Sequence, residues 1–152
     1  MKKIKLTTGE YTLISNKDFK KTIKYNYYLK NGYAQTTSFR NRIYLHRLIM
    51  DFPKKGLEID HKDGNRLNNQ RSNLRICTRK QNQGNRVSGK NSSSKFKGVS
   101  WEKKKLKWRA SMTCNKKTIY LGSFKVEEDA ALAYNKMAKK YFGKFARLNI
   151  IK

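Results

Sequence analysis

A short stretch of small and polar residues constrains the fold more than any other feature of the chain. Residues 86–95 read RVSGKNSSSK and contain a single apolar side chain, which is too little to bury in a core. We therefore predict a linker over residues 86–94, with one domain before it (1–85) and another after it (95–152). Each domain is small, and small domains bury a smaller fraction of their surface than large ones.

The charge of the chain indicates a polyanionic partner. Lys and Arg number 37 against 10 Asp and Glu, which gives a formal net charge of +27 and an isoelectric point near 10.3. Such an excess destabilises a compact fold by self-repulsion, whereas binding to DNA phosphates releases condensed counterions. We expect nucleic acid as the partner, and double-stranded DNA once the family resemblances given below are included. A merely soluble basic surface is the alternative, and a membrane is disfavoured because no long basic amphipathic helix stands out.

The cysteines and histidines do not form a recognisable zinc motif. Cys77 and Cys114 lie far apart in the sequence, and together with His46 and His61 they match no known ligand spacing. We predict two free thiols in a reducing cytoplasm. No apolar run is long enough to span a membrane, and the first residues lack the apolar stretch of a signal peptide. We therefore expect a protein that acts inside a cell.

Hydrophobic periodicity predicts a strand-rich beginning to the N-terminal part. Residues 1–40 alternate apolar and polar side chains in short runs, which is typical of antiparallel strands and hairpins. A short helix with one apolar face is expected next, ending near Pro53. The residues of that face are Tyr44, Leu45, Leu48, Ile49 and Phe52.

The chain then predicts a strand, a loop, a second strand and a helix. The strands are LEIDH (57–61) and NLRIC (73–77), with a tight turn at 63–65 between them. Thr78 and Gln81 have the spacing of a capping box and would begin the helix. A unit this small cannot fold on core burial alone, so we expect it to depend on its neighbours or on a metal ion.

Polar residues on this small unit suggest hydrolytic chemistry. Asp60 and His61 end the first strand, Asn73 begins the second, and Asn82 lies on the helix. The unperturbed pKa of His61 suits a general base near neutral pH. Asp60 and Asn82 offer a carboxylate and an amide oxygen, which are hard ligands that suit Mg²⁺ or Mn²⁺ better than zinc. Asn73 would fix either the loop or the His61 ring. Taken singly, each residue also has a structural interpretation.

The same segment resembles a known nuclease family. Residues 60–82, DHKDGNRLNNQRSNLRICTRKQN, are similar to the HNH endonucleases, specifically to phage intron-encoded homing enzymes in which an asparagine replaces the final histidine. The likeness extends upstream through LHRLI (45–49). The resemblance implies a small ββα-metal nuclease domain. The roles that it implies agree with the chemistry above: catalytic His61 and Asn73, and metal ligands Asp60 and Asn82.

The remaining polar residues of this unit have less defined roles. Asn65, Asn68 and Asn69 are interpreted as residues that stabilise the loop. His46 could contact a phosphate or pack structurally, and we favour the structural role. Asp63 could support the metal ligands.

The C-terminal part predicts a three-stranded antiparallel sheet packed on one helix. The strands are expected at 96–101, 106–113 and 117–124, and the helix from about Glu127 to Tyr141. Alternation in the second strand separates a core face from an exposed face. The expected core comprises Leu106, Trp108, Ala110 and Met112 on that strand, with Ala130, Tyr134, Met137, Ala138 and Tyr141 on the helix.

These elements resemble the plant ethylene-response-factor (Apetala-type) DNA-binding domain. The similarity is carried by FKGV, KWRA, YLGSF, EEDAALAYNKMA and FARLN, and it spans residues 95–149. That family lays its sheet in the major groove, but several of its arginines are Ser or Thr here, so its target preference does not transfer. Resemblance and strand alternation together predict the DNA face: Lys97, Ser100, Lys107, Arg109, Ser111, Thr113, Thr118 and Tyr120.

The sequence as a whole predicts an α+β protein with a nuclease part and a DNA-selecting part, and we expect a monomer. The resemblance implies a phage homing endonuclease that uses Mg²⁺ or Mn²⁺ in the cytoplasm of the infected bacterium. Deleting residues 95–152 should then reduce site preference more than chemistry. The rival interpretation is a non-catalytic, sequence-specific DNA-binding regulator, which predicts tight binding without cleavage. A protein that acts on RNA is disfavoured because nothing resembles an RNA-recognition signature.

Overall fold

The computed structural model describes residues 1–38, 41–86 and 92–151, and its fold is mixed α+β. The chain forms two compact units, Met1–Arg79 and Lys80–Lys152. This division falls earlier than the boundary expected after residue 85, and it places Asn82 in the second unit. Residues 87–91, which are most of the expected linker, lie outside the described residues, so the linker and the domain boundaries stay predictions.

The described part of the first unit is built from short strands and short helices. The strands are β1 (Lys2–Lys5), β2 (Tyr11–Ile14), β3 (Tyr28–Lys30), β4 (Tyr33–Ser38), β5 (Asn41–Tyr44), β6 (Leu57–His61), β7 (Asn68–Asn69) and β8 (Leu74–Thr78). The helices are α1 (Phe19–Thr22) and α2 (Leu45–Ile49). One sheet has the order β1-β2-β7, a second has the order β3-β4-β5, and β6 pairs with β8 in an antiparallel hairpin. Strand β7 runs parallel to β2.

The core of the first unit joins the N-terminal strands to α2 and the β6–β8 hairpin. Ile14 on β2 and Leu45 and Ile49 on α2 have no exposed surface, because strand alternation and i, i+4 spacing direct them inward. Ile59 on β6 and Leu74 on β8 extend the same cluster. Burying one such side chain stabilises the fold by about 1.5–3 kcal/mol, so these contacts connect the hairpin energetically to β2 and α2.

Helix α2 ends earlier than the sequence predicts. Asp51 and Phe52 have φ angles of 55° and 51°, a left-handed conformation that stops a right-handed helix. Phe52 is also 50% exposed. Its expected place on the apolar face of the helix is therefore wrong, because the backbone has already turned away from the helix axis at that position.

The second unit contains the three-stranded sheet and its helix. Its elements are α3 (Arg79–Asn85, whose first residue belongs to the first unit), β9 (Val99–Glu102), β10 (Lys107–Cys114), β11 (Lys117–Phe124) and α4 (Glu127–Phe142). Strand β10 pairs antiparallel with β9 on one side and β11 on the other. Ala130 and Ala131 of α4 pack against Val99 and Ala110 of the sheet. Among the described residues, no helix combines the length and apolar character that crossing a membrane requires.

The core of the second unit differs from the expected one at two positions. Leu106 is 73% exposed, because it has a φ of 50° in the turn before β10 rather than a place on the strand. Tyr141 is 37% exposed, whereas its neighbour Phe142 is 5% exposed. Phe142 is buried because Gly84 of α3 packs directly against its ring.

Candidate active site

Asp60 and His61 are the last two residues of β6, and both are buried. Asp60 is 4% exposed and His61 is 5% exposed. Arg75 lies opposite Asp60 in the register of β6 and β8, and its Nε donates to Asp60 Oδ2 over 2.7 Å. A buried carboxyl group needs such a hydrogen-bond donor to offset the cost of its burial. The hairpin therefore holds an oriented carboxylate beside an imidazole.

Asn73 organises the loop between the two strands. Its Oδ1 accepts a hydrogen bond from the Asp63 N–H (3.1 Å). Its Nδ2 donates to Asp63 Oδ1 (2.9 Å) and to the Asn68 carbonyl (2.8 Å). The sequence left open whether Asn73 fixes the loop or the His61 ring, and these three bonds are all made to the loop.

The His61 ring makes a hydrogen bond with Asn69. Its Nε2 lies 3.1 Å from Asn69 Oδ1. Asn69 in turn donates from Nδ2 to Thr12 Oγ1 on β2, over 2.8 Å. The sequence interpretation treated Asn69 as a loop residue and missed this contact. The contact depends on the two-residue parallel pairing of β7 with β2, which no local pattern reveals.

Aromatic rings surround the other sides of His61. The ring of His46 is 5.4 Å from that of His61 in an edge-to-face arrangement, and the ring of Tyr33 is 6.0 Å away. His46 also stacks on Tyr44 at 5.4 Å. The Arg66 guanidinium covers the ring of Tyr33 at 4.6 Å. The structure therefore places His46 in direct packing contact with His61, a proximity that the sequence did not predict.

Burial keeps both imidazoles in the neutral form. Burial lowers the pKa of His61, although its bond with Asn69 and the nearby carboxylates of Asp63 and Asp60 act in the opposite direction. Burial, together with repulsion from His61 and Arg47, lowers the pKa of His46 to about 3. A neutral imidazole can accept a proton, so the state of His61 near neutral pH suits a general base.

Asn82 lies on α3, and the end of this helix is anchored within the second unit. The Gly84 carbonyl accepts hydrogen bonds from Lys97 Nζ (2.6 Å) and from the Arg147 N–H (3.0 Å). A β-carbon at Gly84 would lie 2.7 Å from Phe142 Cγ, so the close approach requires glycine. The helix that carries Asn82 is therefore fastened to the sheet-and-helix module that follows it in the chain.

Within residues 1–38, 41–86 and 92–151, no group of three or more His, Cys, Asp or Glu side chains is arranged so that it could hold a metal ion. The pair expected from the sequence, Asp60 and Asn82, is instead one carboxylate and one amide. Its members belong to different compact units. Their joint role as metal ligands therefore stays a prediction.

The sheet of the second unit exposes most of the residues predicted to face DNA. Those that are exposed are Ser100, Lys107, Arg109, Thr113, Thr118 and Tyr120. Arg109 lies opposite Ser100 in the pairing of β10 with β9, and its guanidinium is 5.6 Å from the centre of the Tyr120 ring. Ser111 is half-buried beside a bulge in β10. Lys97 is also half-buried, and its ammonium group is directed to Gly84 rather than along the exposed strands.

Comparisons with known proteins match the part of the chain that contains these residues. A family model described as HNH endonuclease matches residues 44–83, which include Asp60, His61, Asn73 and Asn82. An uncharacterized HNH endonuclease of Acanthamoeba polyphaga mimivirus is 36% identical over 149 residues, covering 94% of this chain and 76% of that protein. Protein 3.8 of Escherichia phage T7 is 38% identical over 93 residues, covering 61% of this chain and 76% of that protein. No solved structure matches.

Proposed function

The chain belongs to the HNH endonuclease family, and on that premise we propose that it hydrolyses phosphodiester bonds in DNA with His61 as the general base. The observation that carries the proposal is the pair formed by a buried, neutral His61 and the Arg75-bound carboxylate of Asp60 at one strand end. A buried imidazole with a lowered pKa beside a charge-paired carboxylate is a typical candidate for a functional site, so this pair favours a chemical role.

His61 would supply the proton acceptor of the reaction. A water oxygen attacks the phosphorus atom, the bond to the leaving oxygen breaks, and the imidazole takes the proton that the water loses. A positioned general base typically contributes about 10²- to 10⁴-fold to such a rate. Asn73 would act by holding the loop that follows His61, since its side chain bonds to Asp63 and Asn68.

Asp60 and Asn82 would hold a divalent metal ion. Both side chains offer hard oxygen ligands, which suits Mg²⁺ or Mn²⁺, and two protein ligands leave positions for phosphate oxygens and water. The Arg75 bond to Asp60 Oδ2 supports this role because it fixes the orientation of the carboxyl group. When bound, the ion would supply charge neutralisation at the phosphate and at the leaving oxygen. The resulting arrangement would be the ββα-metal type, formed by β6, β8 and α3.

The second unit would select the DNA site. A net charge of +27 favours a DNA partner, and the exposed strands present Lys107, Arg109 and Tyr120 together. We propose that this sheet binds DNA as in the plant ethylene-response-factor domain, which it resembles in sequence. A homing endonuclease, which cuts DNA at a chosen site to begin the transfer of its own gene, combines such a selecting module with a nuclease. As a monomer the protein would nick one strand at each encounter.

A non-catalytic DNA-binding regulator is the second candidate function. Incubating the protein with supercoiled plasmid distinguishes the regulator from the nuclease. We expect the wild-type protein to nick the plasmid in the presence of Mg²⁺ or Mn²⁺, and we expect nicking to stop when EDTA is added. The His61→Ala variant should bind the plasmid as the wild type does but leave it supercoiled. Tight binding without nicking by the wild type, in either metal, would favour the regulator.

A further inference from the structure

We infer that Asn69, held in place by Thr12, fixes the tautomer of His61 so that Nε2 carries the hydrogen and Nδ1 carries the lone pair. The assignment of the tautomer rests on the structure alone. Its catalytic meaning rests on the proposed function, because there the lone pair receives the proton of the attacking water. Asn69 is then a positioning residue rather than a loop stabiliser.

The directions of the hydrogen bonds determine the tautomer. The Leu67 carbonyl can only accept, so the Thr12 hydroxyl, 2.8 Å away, donates to it. Thr12 Oγ1 therefore accepts from Asn69 Nδ2 at 2.8 Å, and the Arg66 carbonyl lies 3.4 Å from the same Nδ2. The amide nitrogen is thus directed toward Thr12, and the amide oxygen is directed toward His61.

An amide oxygen cannot donate, so His61 must be the donor across the remaining contact. Asn69 Oδ1 and His61 Nε2 are 3.1 Å apart, which requires a hydrogen on Nε2. A neutral imidazole has one N–H and one lone pair, and the lone pair therefore lies on Nδ1. Since Nε2 keeps its hydrogen when Nδ1 gains a proton, the bond to Asn69 is retained throughout proton transfer.

Burial makes this assignment stable. Thr12 is 0% exposed, Asn69 is 1% exposed and His61 is 5% exposed, so bulk water does not compete for these bonds. An amide rotated by half a turn would direct its oxygen toward the Arg66 carbonyl oxygen, which cannot donate, and would require the Thr12 hydroxyl to leave the Leu67 carbonyl. Buried polar groups left without a suitable partner each cost about 1–3 kcal/mol, so the rotated arrangement is disfavoured at the Thr12 and Arg66 end of the amide.

The hydrogen bonds that run from Thr12 through Asn69 to His61 also give the N-terminal strands a role in the active site. Thr12 lies on β2, and β2 pairs in parallel with β7, where Asn69 lies opposite Ile14. This pairing brings together residues that are 57 positions apart in the sequence. Strands β2 and β7, which contain none of the predicted catalytic or metal-binding residues, thereby determine which nitrogen of His61 accepts a proton.

Nitrogen NMR of the full-length protein, without DNA or metal, measures the tautomer directly. The chain has two histidines, so ¹⁵N-histidine labelling gives two imidazoles, and the His61→Gln variant assigns them. At a pH of about 8, above the unperturbed imidazole pKa, we expect a protonated Nε2 and an unprotonated Nδ1 for His61. A wild-type spectrum in which Nδ1 carries the hydrogen would overturn the inference.

Three variants test whether Asn69 and Thr12 are responsible. Asn69→Leu removes the acceptor, and Thr12→Val removes the hydroxyl that orients the amide, so both should populate the other tautomer. Asn69→Asp keeps an oxygen toward Nε2 and should keep the wild-type tautomer. Asn65→Ala is the control, because the Asn65 side chain accepts from the Leu67 N–H in the same loop. An Asn69→Leu spectrum like that of the wild type would contradict the inference.

Cleavage kinetics then separate this inference from the proposed function. If both hold, Asn69→Leu should cleave about 10- to 100-fold more slowly with unchanged affinity for DNA, and Asn69→Asp should recover most of the rate. A tautomer that follows the prediction in a protein with no cleavage activity would refute the proposed function alone. Normal cleavage by an Asn69→Leu protein with an altered tautomer would refute the positioning role alone.

Discussion

Gly84 on α3 lies so close to Phe142 on α4 that a β-carbon at position 84 would come within 2.7 Å of the Phe142 ring. The same glycine accepts hydrogen bonds from Lys97 and Arg147 through its carbonyl. The helix that carries the predicted ligand Asn82 is thus supported by the C-terminal module. On sequence alone, removal of residues 95–152 was expected to affect site preference more than chemistry. Because these contacts support α3, we propose that such a removal would also affect chemistry.

Gly84→Ala should therefore reduce both stability and cleavage. The added methyl group must displace Phe142, and overpacking of this kind typically costs about 1–3 kcal/mol. Thermal unfolding and plasmid nicking measure the two effects. Lys80→Ala is the control, because Lys80 is exposed on the same helix and its replacement should change stability by less than about 0.5 kcal/mol. A Gly84→Ala protein that unfolds and cleaves like the wild type would mean that α3 does not need this support.

Asn82→His tests the proposed metal ligand. The imidazole is the side chain that ends the motif in other HNH enzymes, and it prefers softer transition metals to Mg²⁺. We expect Asn82→His to keep cleavage activity but to shift its metal preference toward Ni²⁺ or Zn²⁺. Asn82→Ala should lose cleavage in every metal while DNA binding persists. Nicking by Asn82→Ala with Mg²⁺ at the wild-type rate would remove Asn82 from the site.

His46→Phe should make the protein less sensitive to acid. The pKa of His46 is lowered by burial from 6.5 to about 3, so between these values the unfolded chain binds a proton that the folded protein does not. The free energy of unfolding therefore falls as the pH falls through this window, by up to about 1.4 kcal/mol per pH unit. Phe preserves the ring that packs between Tyr44 and His61 but cannot be protonated.

Urea unfolding at neutral pH and at a pH of about 4.5 measures the effect of His46. The difference in unfolding free energy between the two conditions should be smaller for His46→Phe than for the wild type. The lowered pKa of His61 contributes in the same direction, so part of the dependence should remain. If the difference in unfolding free energy between the two pH values were the same for His46→Phe and the wild type, His46 would not be the source of the acid sensitivity.

Lys107→Ala tests the exposed strands as the DNA surface. Lys107 is exposed on β10, next to the face that presents Arg109 and Tyr120. If it contacts one phosphate, its removal should weaken binding to all sequences and reduce the slope of log K against log salt by about 1. Lys136→Ala, an exposed position on α4, is the matched control. Equal salt slopes for Lys107→Ala and the wild type would place the DNA surface elsewhere.

Local patterns in the sequence predicted the elements near the site, and long-range contacts completed it. The two short strand segments, the turn between them and the capping box predicted the β6–β8 hairpin and the helix after it, because these signals arise from neighbouring residues. The sequence indicates only a loop role for Asn69, because its bonds to His61 and Thr12 join residues that are far apart in the sequence. Leu106 was misplaced because a left-handed turn residue can be apolar, and hydrophobicity alone does not report φ.

Single-turnover cleavage by His61→Ala, with DNA affinity measured on the same samples, tests the central claim most directly. His61 is the buried neutral base of the proposed reaction, so its loss should slow the chemical step by about 10²- to 10⁴-fold. The affinity for DNA should stay within about twofold of the wild-type value, because the phosphate contacts depend on Lys and Arg. Cleavage by His61→Ala at the wild-type rate would contradict the account, since the proton would then have another acceptor.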